Sequence, residues 1–140
     1  MDPIEKAIVE RLQPLNAIGI AVEAFPNDPK RLERATPNRL VLVRYQGSES
    51  NRPAGNSPGT QAPIIQRRLV RYEILLLIKD LRTHENVYPV RDEVINRMVG
   101  YVPPGQKWAF YHLKDGWMAQ SEGIWFYSQL FELPTVLQSA

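Results

Sequence analysis

The amino-acid sequence predicts an α+β fold: a small, mainly antiparallel sheet with two principal helices on one face and a long extended β-hairpin. Three observations lead there. Two stretches, 3–15 and 88–99, repeat apolar residues every three or four positions, the spacing of a half-buried helix. Residues 39–46, 66–80 and the aromatic C-terminal third alternate instead with the two-residue period of a strand. At 140 residues the chain is long enough for one domain with one core.

In the first helix Pro3 suits the opening position and Asp2 can cap free N–H groups. Ile4, Ala7, Ile8, Leu12 and Leu15 share a face, Glu5, Lys6, Glu10 and Arg11 take the other, and Pro14 ends the run. Residues 17–25, AIGIAVEAF, read as a strand. Asp28-Pro29 and KRLER offer one exposed helical turn before Pro37. In 39–46, Val41, Val43 and Tyr45 face one way and Leu40, Leu42 and Arg44 the other. Residues 46–63, QGSESNRPAGNSPGTQAP, hold little to bury and are expected to form a flexible loop at the hairpin tip.

The strongest strand is 66–80. Val70, Tyr72, Ile74, Leu76 and Ile78 form one apolar face; the other begins Arg67, Arg71, Glu73 and turns apolar at Leu75 and Leu77. Its second half is expected to be covered on both sides, by a helix or another subunit. At ~3.3 Å per residue it would run ~45 Å, as an arm of the hairpin with 39–46. The second helix buries Val90, Val94, Ile95 and Met98, opens at Pro89 with Asp92 and Glu93 toward its positive end, and stops at Gly100. Trp108–Leu113, a turn at Lys114-Asp115-Gly116, Trp117–Ser121 and Ile124–Leu133 are expected as a strand hairpin with a third strand, and 134–140 as a loose terminus.

Composition removes many chemistries. There is no cysteine, so disulfides, thiol catalysis and Cys-zinc sites are excluded. The two histidines, His84 and His112, lie far apart; Thr83-His84-Glu85 are consecutive and cannot converge as a triad. Gly100–Gly105 lacks the lysine of a phosphate loop, and two prolines remove its donors. Asp92-Glu93 suits the helix dipole better than acid–base work. No enzyme activity, metal or cofactor is therefore expected. A net charge of +2 gives no nucleic-acid footprint, and Glu73 interrupts the basic cluster Arg67, Arg68, Arg71. Apolar runs such as Ile74–Ile78 are too short to cross a bilayer, and Met1-Asp2-Pro3 does not open a signal peptide, so no membrane partner is expected.

Two features point to assembly: the strand apolar on both faces at Leu75–Leu77, and the aromatic tail, where Trp125 and Tyr127 oppose Phe126. Among the 17 basic residues, twelve are arginines, whose planar fork suits fixed interface pairs. The expected contact residues are Arg67, Arg71, Glu73, Leu75, Leu77, Trp125 and Tyr127, with Arg67, Arg71 and Glu73 meeting opposite charges on a neighbour.

The order of IEKAIVERL, LVLVRYQGS, the polar loop, RRLVRYEILLLIKDLRTHENVY, PVRDEVINRMVGYVPP and WAFYHLKDGWMAQSEGIWFYSQLFEL resembles the tail-terminator (tail-completion) proteins of long-tailed bacteriophages, those like the lambda minor tail protein U and their contractile-tail relatives. The resemblance spans nearly the whole chain, with "LRTHENVYPVRDEVINRMVGY" its most specific part. It implies a structural virion protein at the head-proximal end of the tail, assembled in the host cytoplasm. A homo-hexameric ring would cap the tail tube, and the sheath in a contractile tail, and dock the neck and connector. DNA would only pass through its lumen, which should lack strong positive charge. It carries over no catalytic residue. Alternatives are a cap or adaptor of a phage-derived contractile injection system, a neck or connector protein, and, behind these, a nucleic-acid-binding module.

Overall fold

The computed structural model describes residues 2–25, 39–51, 65–79, 87–121 and 123–138. The elements are α1 (Pro3–Leu12) with a 3-10 segment Gln13–Ile18, β1 (Ala21–Ala24), β2 (Arg39–Ser50), β3 (Ile65–Ile78), α2 (Tyr88–Met98), β4 (Tyr111–Ser121) and β5 (Ile124–Gln138). The strands form one sheet in the order β1-β2-β3-β5-β4; β1 is parallel to β2 and every other pair is antiparallel. The α+β architecture read from the sequence is the one observed.

Both helices cover one face. Ile8 and Leu12 of α1, Leu15, and Val90, Val94 and Met98 of α2 pack with Val41, Val43, Tyr72, Ile74, Leu76, Ile78, Phe131 and Leu133 in one core. Each fully buried aliphatic or aromatic side chain contributes about 1.5–3 kcal/mol, so this layer is the main source of stability. Asp2 joins helix to sheet. Its Oδ1 accepts the Ile4 N–H at 2.9 Å, capping α1, and its Oδ2 accepts the Tyr72 hydroxyl at 2.5 Å. Arg11 ties the helices together by donating Nε–H to the Arg97 carbonyl at 3.0 Å.

The structure differs from the expectation in four places. The segment expected as a strand from residue 17 is helical to Ile18, and β1 starts at Ala21. Pro14 needs no donor in the first turn of a 3-10 segment, and Gly19 (φ 81°) ends it by donating to the Asn16 carbonyl. The turn expected at Lys114-Asp115-Gly116 is absent: β4 runs straight through it, and the reversal comes beside Gly123 (φ 79°). Bulges at Leu113 and Met118 absorb the extra residues and keep Asp115-Gly116 in register with Ser128 and Gln129. Residues 134–138, expected to be loose, continue β5 and pair with Ile65–Leu69. Residues 46–50 continue β2 rather than opening a loop. Residues 52–63 of that loop, His84 and the KRLER turn lie outside the described residues.

The long hairpin is present, and it is three strands wide, because β5 accompanies β3 from Ile78↔Trp125 to Ile65↔Gln138.

Candidate functional site

The face of the sheet away from the helices carries most of the residues singled out from the sequence. Alternation along β3 places Arg67, Arg71, Glu73, Leu75 and Leu77 there together. Toward one end the face is apolar: Leu40, Leu42, Leu75 and Leu77 form a second, smaller core with Ala21, Phe25, Ile124 and Phe126 against them. Leu75 and Leu77 are 7% and 1% exposed, so within a single chain they are already covered.

Next along the face come two carboxylates, Glu73 (7% exposed) and Glu132 (3%). A buried carboxylate persists only with charge or donors around it, and each of these has both. Glu73 takes the Arg44 Nε–H at 2.5 Å through Oε1 and the Ser128 hydroxyl at 2.7 Å through Oε2. Arg44 also lies over the Phe25 ring, 5.1 Å from its centroid. Glu132 accepts the Arg71 Nε–H at 2.8 Å and the Tyr111 hydroxyl. Arg71 reaches further to Glu49, at 3.3 Å. The guanidinium is held above its already high ordinary pKa, first by the hydrogen bond to Glu132.

A bulge makes the Glu49 contact possible. Tyr45 pairs with Tyr72 and Gly47 with Arg71, leaving Gln46 as the extra residue. Unbroken alternation would put Glu49 on the helix side with Val43 and Tyr45; the bulge turns it onto the face of Arg71. Gly47 adopts φ 115°, a conformation open to glycine and rare for other residues. The result is a groove of about 560 Å³ floored by Arg71, Glu73, Ser128 and Leu130, with Lys114 at its rim.

The opposite signs that Arg71 and Glu73 were expected to find on a neighbour are supplied inside the chain, by Glu132, Glu49 and Arg44. Arg67 is exposed; its backbone N–H bonds the Asn51 side chain, and its guanidinium has no ion pair among the described residues. Trp125 and Tyr127 are not part of this face. They point to the helix side, Tyr127 inside the main core with its hydroxyl pKa raised by burial, and Trp125 half-buried against that core. Sequence reasoning missed Glu132, Arg44, Ser128 and Tyr111. Glu132 did carry a signal: it opposes Phe131 and Leu133 in a strand otherwise rich in aromatics.

The face offers ion pairs and apolar contact, and among the described residues no nucleophile and base converge on it. His112 packs edge-on against Phe131 and sits 3.3 Å from Asp115, on the helix side. Among the described residues no group of three or more His, Asp or Glu is placed to hold a metal ion, and no helix is long and apolar enough to cross a membrane.

Comparison with known proteins gives one family. The family described as Gp37 protein, a phage-related one, matches residues 8–137. No curated protein matches the chain. The match takes in the second half of α1, all of α2 and the five strands up to the last residue but one of β5, and the chain belongs to the Gp37 family of phage-related proteins.

Proposed function

We propose that this protein is a structural component of a phage virion that closes with copies of itself into a ring, a homo-hexamer, on the head-proximal end of the tail. The ring stops the tail tube from growing, caps the sheath where there is one, and presents a docking surface to the neck and connector. It acts by shape; no catalytic residue, metal or cofactor is assigned. Membership of a phage-related family carries this reading, and the resemblance of its element order to tail terminators supplies the specific role.

Closed rings need contact between two unlike surfaces of the same chain. The two sides of this sheet are unlike: one is covered by α1 and α2, the other bears the Arg44–Glu73 and Arg71–Glu132 pairs. Its two edges are unlike as well, a four-residue β1 against a bulged eleven-residue β4. Since Leu75, Leu77, Arg71 and Glu73 are engaged internally, a neighbouring copy has to be met elsewhere on the chain. Light scattering on the purified protein, with electron microscopy of the particles, tests the ring. Annular particles of about six subunits are expected, alone or on tube ends; a monomer that neither forms rings nor binds purified tubes would overturn the proposal.

A further inference from the structure

β5 outlasts its neighbour. β4 begins at Tyr111, opposite Glu132, so from Leu133 to Gln138 the outer edge of β5 has no partner strand among the described residues. A cavity adjoins this edge on each side of the sheet. On the helix side is one of about 740 Å³, lined by Tyr45, Tyr72, Arg68 and Lys107 and by Asp2. Asp2 keeps its charge, since its partners, the Ile4 N–H and the Tyr72 hydroxyl, are neutral donors, and the two cations against this one anion leave the lining net positive. On the opposite side is one of about 620 Å³, mainly apolar, lined by Leu69, Pro134, Val136 and Tyr111, with Arg67 and Glu49 at its rim and Glu49 held by Arg71. Trp108, Arg68, Thr135 and Val136 line both, Lys107 only the first, and Trp108 and Val136 are each 44% exposed.

We infer that this edge takes an extended segment of a partner protein as an added strand, and that the segment alternates acidic and apolar side chains. A strand laid against β5 sends successive side chains to opposite faces. One set would enter the cavity that holds Arg68 and Lys107, the other the apolar cavity of Leu69 and Val136. Charge complementarity thus selects acidic residues at every second position and apolar ones between. Pro134 has no N–H to donate, so the ladder on offer lies beyond it, at Thr135–Gln138. A second copy joined edge to edge would present its own Pro134–Gln138, which holds no acidic residue to meet Arg68 and Lys107, and this is why another protein is the occupant. The inference does not require the ring.

Fluorescence anisotropy with two labelled eight-residue peptides, one alternating Val and Glu and one alternating Val and Lys, tests it on the wild-type chain. The Val/Glu peptide is expected to bind saturably and the Val/Lys peptide not. Arg68→Glu with Lys107→Glu should weaken Val/Glu binding about tenfold at low salt, as two partly exposed charges allow. Val136→Pro, which removes an edge donor and leaves those charges, should weaken it independently. Equal binding of the two peptides, binding by neither, or variants that bind undiminished would overturn the inference. So would concentration-dependent dimers that Val136→Pro abolishes, since the occupant would then be a second copy.

Discussion

Replacing Arg44 by Ala should cost more than replacing its partner Glu73 by Gln, although each removes the same ion pair. The asymmetry follows from exposure. Glu73 is 7% exposed, whereas the Arg44 side chain is 37% exposed. Without Arg44 the carboxylate stays buried with one remaining donor, Ser128 at 2.7 Å. Stranding a buried charge costs about 3–5 kcal/mol, and a retained hydrogen bond to a charged group offsets about 1.5–3 of it. Losing the stacking of Arg44 on Phe25 adds about 0.5–1 kcal/mol. The sum for Arg44→Ala is about 2–3 kcal/mol, or about 10 °C in Tm for a chain of this size. With Glu73→Gln the amide still accepts from Ser128 and Arg44 swings into water, so the loss is about 1 kcal/mol after screening. The double variant should lose about 2 kcal/mol, less than the singles together, because no charge is then stranded. Urea unfolding followed by tryptophan fluorescence measures all four proteins. If Arg44→Ala costs no more than Glu73→Gln, or if the two effects simply add, the Glu73 environment described above is wrong.

Leu77→Ala should lose about 2–4 kcal/mol and Leu77→Asp should fail to fold, because the site is closed within one chain; circular dichroism distinguishes this from a folded monomer with a broken interface. Tyr72 has its pKa raised, first by burial and then by its hydrogen bond to Asp2. Its neutral form is favoured in the fold, so that stability is complete below about pH 10 and is lost as pH climbs beyond it. Unfolding between pH 8 and 11 should therefore show a steeper alkaline decline for the wild type than for Tyr72→Phe. Gly100 has φ 85° and nothing near its missing Cβ, so Gly100→Ala should cost about 1–2 kcal/mol by backbone strain alone, read as a lower Tm with an unchanged far-ultraviolet spectrum.

Local signals predicted what local physics decides. The spacing of Ile4, Ala7, Ile8 and Leu12 and the Asp2-Pro3 start predicted α1, and the alternation from Val70 to Ile78 predicted both the strand and its two faces. The same alternation put Arg67, Arg71 and Glu73 on one face. It could not supply their partners, since Glu132 lies 61 residues from Arg71 and Arg44 lies 29 from Glu73; those meetings depend on strand register. Bulges account for further departures. Gln46 carries Glu49 across the sheet, and Leu113 and Met118 let Asp115-Gly116 remain inside a strand that its turn-forming composition argued against. The chain from Pro134 to Gln138 looked unfit for structure by itself and is ordered by pairing with Ile65–Leu69. At Leu75 and Leu77 the pattern showed that both faces are covered, and the fold supplies that cover within a single chain.

Electron microscopy of virions produced with this gene removed addresses the proposed role most directly. Tubes of irregular and excessive length, without heads attached, are expected; tails of uniform normal length carrying heads would contradict it.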